Sequence, residues 1–154
     1  MCSMPSNTEY VTIVVTRPAQ DGLTSTQDVY YAYAPYLCRH SGVNLARPGL
    51  LADDKATLYI SGDYPVRDAN GQQLQYMAAE RYLAADDTTG YWTVLTDGAF
   101  SGADCFFCAG KLDAAELLDY AELRRTTPDV YRVTHVDYFP AGCALSDHWR
   151  IGGK

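Results

Sequence analysis

Cationic residues are scarce in this chain. Twelve lysines and arginines stand against nineteen aspartates and glutamates, for a formal net charge of −7. No Lys/Arg cluster offsets that field, so direct binding to nucleic-acid phosphate is disfavoured. Long apolar runs are missing too. Tyr10-Val11-Thr12-Ile13-Val14-Val15 is too short for a signal-peptide core or a membrane span, and no basic stretch precedes it. The chain is therefore expected to be cytoplasmic, with no membrane partner. The G-x-G-x-x-G, P-loop, G-x-S-x-G and H-E-x-x-H patterns are all absent, which removes the common nucleotide, hydrolase and metalloprotease signatures. Five cysteines are an odd number. Without a secretion signal they are expected to stay reduced rather than to form a disulfide framework.

What remains is an ordinary globular composition, 47% hydrophobic and 20% charged over 154 residues. That length suits one domain, 1–154, able to bury a core unaided, with 1–9 and 152–154 expected as loose ends. Aspartate supplies most of the acid, at Asp53, Asp54, Asp63, Asp68, Asp86, Asp87, Asp97 and Asp104. Those positions read first as turns and caps.

Period-two alternation marks strands over Tyr10–Thr16, Asp28–Tyr33, Ala56–Ser61, Tyr91–Thr96 and Val130–Phe139, the last a central strand. Residues 37–54 read as irregular because Ser41-Gly42, Pro48-Gly49 and Asp53-Asp54 all signal turns. Residues 72–85 fit a helical face and a strand face almost equally. Asp113 with Glu116 three residues on predicts a capped helix to about Arg125, its apolar stripe formed by Ala114, Leu117, Leu118 and Ala121. The expected fold is α+β: a single domain with a mostly antiparallel sheet of about five strands and one or two packed helices.

Cys105-Phe106-Phe107-Cys108 sets two thiols at the spacing of metal knuckles and dithiol redox turns. A zinc ion would need a second pair, for which Cys38 with His40 or Cys143 with His148 are the candidates. Neither repeats the C-x-x-C form, and the two phenylalanines suit a reading of the cysteines as core. Asp104 beside Cys105 raises its thiol pKa, against redox use. A further kit is His135 and Asp137 on one strand face, with Cys143 as nucleophile; a cross-strand hydrogen bond explains His-x-Asp equally well. No catalytic, cofactor or metal residue is assigned.

Thirteen tyrosines are the other excess, among them Tyr30, Tyr31, Tyr33, Tyr36, Tyr59 and Tyr64. Tyrosine joins large contact area to a polar tip and is enriched where proteins meet, although half-buried strand packing also uses it. The function expected from these features is that of a small intracellular, non-catalytic protein-binding or regulatory module. It would act through an acidic, tyrosine-rich surface on a partner with a basic surface. Two alternatives are an acidic inhibitor filling the basic nucleic-acid channel of an enzyme, and a thiol-dependent enzyme or zinc-stabilised domain using Cys105 and Cys108.

Overall fold

The computed structural model describes residues 4–6, 10–19, 23–33, 35–40, 43–46, 49–52, 55–61, 66–113, 118–127, 129–139 and 147–154. Along them run β1 (Met4–Ser6), β2 (Tyr10–Pro18), β3 (Ser25–Tyr33), β4 (Tyr36–His40), β5 (Val43–Ala46), β6 (Gly49–Ala52), β7 (Lys55–Ser61), β8 (Val66–Arg67), β9 (Gln75–Tyr76), α1 (Ala79–Ala84), β10 (Tyr91–Trp92), β11 (Asp104–Ala109), α2 (Tyr120–Thr126), β12 (Val130–Phe139) and β13 (His148–Gly153).

Nine of these strands form one curled antiparallel sheet in the order β1-β4-β7-β13-β12-β11-β2-β3-β8. This corrects the expected α+β fold, in which helices pack on about five strands. Among the described residues the helices are two, of six and seven residues. The extra strands come from segments that carry turn residues: β4 runs into the stretch read as irregular, β5 and β6 lie within it, and β5 pairs with β6 as a small hairpin. Gly152 and Gly153, expected to be loose, are buried in β13 and paired with β7 and β12. Within the expected loose start, β1 pairs with β4.

The centre of the sheet follows from its side chains. Val11, Ile13 and Val15 of β2 face inward and Val14 faces outward, and all four are fully buried, as an interior strand requires. The inner face gathers apolar residues from β4 round to β8 into one core, including Leu37, Leu58, Ile60, Ile151, Phe107 and Val66. A sheet curled this way needs a filler, and the segment from Leu74 to Ala103 supplies it through Leu74, Tyr82, Trp92, Val94 and Leu95. In this filler the two readings of residues 72–85 divide the chain: Gln75–Tyr76 is strand and Ala79–Ala84 is helix. Of the expected strand Tyr91–Thr96, Tyr91 and Trp92 pair, in parallel with β9, while Thr93, Val94 and Leu95 are buried without strand partners.

The outer face carries a smaller core of Val14, Phe106, Cys108 and Val130, covered by Leu112, Leu118, Tyr120 and Leu123. The covering helix starts later than expected. Asp119, not Asp113, is its cap, accepting hydrogen bonds from the backbone N–H of Ala121 at 2.9 Å and of Glu122 at 3.3 Å. Residues 114–117, which hold Ala114 and Leu117 of the expected stripe, lie outside the described residues.

Candidate functional site

Cys105-Phe106-Phe107-Cys108 lies in β11, and this decides its chemistry. Side chains alternate along a strand, so residues three apart point to opposite faces. Cys105 belongs to the inner core with Phe107, and Cys108 to the outer core with Phe106. The two sulfurs therefore cannot hold one metal ion or close on each other as a dithiol. Burial first, then the nearby Asp97 and Asp104 carboxylates, push the Cys105 thiol up to about 12; burial and Asp129 push Cys108 up to about 11. Both are protonated at neutral pH.

In the other candidate sets the described members are placed one by one. Cys38 is disulfide-bonded, which corrects the expectation of reduced thiols for this residue. Cys143 and the side chain of His40 lie outside the described residues, as does the cysteine bonded to Cys38. His148 stacks on Phe139, with ring centroids 4.9 Å apart. His135 lies over Gly152 on the neighbouring strand. Asp137 is committed to Arg150, which donates to its Oδ2 at 3.0 Å from Nη2 and 3.3 Å from Nε. Among the described residues, no group of three or more His, Cys, Asp or Glu side chains could hold a metal ion.

The tyrosines divide. Tyr30 and Tyr31 are buried, the latter donating to the Leu112 carbonyl at 2.6 Å, whereas Tyr33 and Tyr36 are exposed; Tyr64 is outside the described residues. Tyr30 leads to the most developed site. It projects from β3 into a cleft of ≈ 390 Å³ between that strand and the 86–91 turn, and its hydroxyl shares a hydrogen bond with that of Tyr82 from α1. Burial raises both phenols, Tyr82 to about 12 and Tyr30 beyond the normal range.

Around this pair stand one guanidinium, Arg17, and four carboxylates, Asp28, Asp68, Asp86 and Asp87. Arg17 lies 5.5 Å from the Tyr82 ring centroid, and its Nη2 donates to Thr88 Oγ1 at 3.4 Å. Its Nε lies 3.0 Å from Asp28 Oδ2, an ion-pair contact, yet that buried oxygen accepts no aligned hydrogen bond from the protein. Asp68 and Asp87 each cap a turn, accepting at 2.9 Å from the N–H of Asn70 and Gln72 and of Thr89 respectively. The Thr89 bonds lower the Asp87 pKa and keep it ionised. Among the described residues Asp86 and Asp87 pair with no cation, so the cleft is anionic overall.

No family model, curated protein or solved structure matches this chain. The site's meaning therefore comes from its own geometry. Sequence reasoning missed Arg17, Tyr82 and Thr88, which sit at a strand end, in a short helix and in a turn. It had singled out Asp68, Asp86 and Asp87 as turn residues, which they are, but their meeting across β3 depends on the sheet's closure. Among the described residues, no helix is long and apolar enough to cross a membrane.

The folded state holds the protons of Cys105, Cys108 and Tyr82 at about 12, 11 and 12, while the unfolded chain releases them near 9.0 and 10.0. Their raised values make a contribution that is complete below pH 9 and is lost as pH rises toward 12. Urea midpoints at stepped pH should fall steeply over that window, and Cys105→Ala should flatten the fall. A midpoint unchanged between pH 9 and 11 would contradict the buried placement.

Proposed function

We propose that this protein is a binding module whose acidic, tyrosine-lined cleft receives a basic side chain from a partner protein. The observation that carries this reading is the lining: four carboxylates against one guanidinium already engaged by Asp28, with Tyr30, Tyr82 and Tyr91 forming aromatic walls. A guanidinium or ammonium suits such a site, since carboxylates supply charge-assisted acceptors and ring faces attract cations. The net charge of −7 adds long-range steering of a basic surface toward the protein.

The test uses N-acetyl-arginine amide against its neutral isostere, N-acetyl-citrulline amide, followed by amide NMR shifts. The arginine derivative should give saturable shifts at Thr88, Thr89 and Gly90, and the citrulline derivative none. Asp86→Asn with Asp87→Asn should weaken the arginine response by roughly fivefold to tenfold, more at low salt than at high. Equal responses to both compounds would overturn the reading.

A further inference from the structure

The edge of β3 adds a second element to this site. β2 covers one side of that strand along its whole length, from Ser25 to Tyr33. On the other side β8 reaches only Tyr31 and Ala32. Among the described residues no strand pairs with that side from Ser25 to Tyr30, which leaves a row of backbone groups of the kind that accept an added strand.

Two clefts lie along this edge. The acidic one contains Asp28 and Tyr30, and a larger one of ≈ 750 Å³ contains Thr26. The larger cleft is walled by Pro18, Leu83, Phe100 and Ala103, and Arg17 and Asp86 form the wall shared by both. Apolar side chains make up most of the remaining wall, so the larger cleft favours an apolar group over a charged one. Thr26 and Asp28 are two residues apart on one strand face, and a paired peptide presents its own side chains at the same interval.

The geometry points to an extended partner segment that adds to the β3 edge, with a basic side chain in the acidic cleft and an apolar side chain two residues away in the larger one. This rests on the binding reading above and specifies its partner. Pairing throughout the large sheet is antiparallel. An antiparallel guest runs from Tyr30 toward Ser25, which gives the order basic, any residue, apolar.

The probe is fluorescein-labelled Ala-Arg-Thr-Leu-Ala, amidated and titrated with the full chain by anisotropy. Replacing its leucine by alanine should weaken binding about tenfold, the loss expected for an apolar side chain of this size leaving a cleft. Methylating backbone nitrogens, one at a time, should weaken binding by about fivefold or more where the N–H faces β3. Thr26→Trp, at an exposed position, fills the larger cleft and should abolish the preference for leucine over alanine while sparing the requirement for arginine. If the alanine and methylated peptides bind as the parent does and a peptide with citrulline in place of its arginine does not, strand addition is overturned and capture of a basic group stands. If the parent peptide and arginine amide both fail to bind, both ideas fall.

Discussion

Gly153→Val should abolish cooperative folding, and Gly153→Ala should cost ~1–3 kcal/mol, the usual penalty for forcing atoms into a packed core. Gly153 pairs with Ala56 on one side and Val133 on the other, so its backbone cannot withdraw without breaking the middle of the sheet. A Cβ there would lie 2.6 Å from two ring atoms of Phe107 and 2.7 Å from the Tyr131 Cβ. Phe107 is fully buried and packs against Tyr131 at 5.6 Å between ring centroids, which leaves it no room to swing aside. Gly152 is the control. Its Cβ would overlap the His135 ring, but that ring is exposed and can rotate into solvent, so Gly152→Ala should cost less than Gly153→Ala. Phe107→Leu combined with Gly153→Ala should be more stable than the two single losses predict, with a coupling of about 0.5–3 kcal/mol. Urea unfolding of the five variants, the Phe107→Leu single included, measures all of this, and a Gly153→Ala protein as stable as the parent would refute the packing.

Tyr82→Ala should remove ~3–5 kcal/mol, a value typical of deleting a buried aromatic ring. Tyr82 is 1% exposed and is the buried anchor of α1, which otherwise shows Ala79 and Leu83 partly packed against the inner core. Its loss also removes the ring beneath Arg17 and one wall of the acidic cleft. Tyr82→Phe separates the hydroxyl from the ring. It leaves the Tyr30 hydroxyl buried without its partner and should cost about 1–3 kcal/mol. Replacing both tyrosines by phenylalanine removes donor and acceptor together and should recover most of that loss. If the double variant is worse than the sum of the singles, the two hydroxyls do not serve each other.

Strands that advertise themselves by alternation were legible in the sequence: β2, β3, β7 and β12 lie where Val11 to Val15, Val29 to Tyr33, Ala56 to Ile60 and Val130 to Phe139 place them. β13 was not, because its last two positions are buried through the absence of side chains, and glycine leaves no hydrophobic mark. β11 was masked by its own chemistry, since a C-x-x-C spacing invites a turn although the residues are simply four buried strand positions. The helix was displaced for another reason. Asp113 with Glu116 and Asp119 with Glu122 repeat the same capping pattern six residues apart, and only the second carries the observed cap. The cleft was legible in its parts but not in its assembly. Aspartate at 68, 86 and 87 forms turns by local hydrogen bonding, a property any short window reveals. That those turns face Tyr30 across a strand edge is set by pairings between residues far apart in the chain.

The position of β13 bears on how the molecule comes into being. It is the last described strand in chain order yet sits between β7 and β12, joining residues 55–61 to a hairpin partner near 130–139. Until residues 148–153 have emerged from the ribosome, the β1-β4-β7 portion has no route by pairing to the β12-β11-β2-β3-β8 portion. Synthesis thus holds two half-sheets with open edges apart until β13 emerges, and closure of the large sheet depends on that strand. Such long-range closure predicts slow folding, and a ribosome-bound chain stalled before β13 as the species most exposed to capture by chaperones.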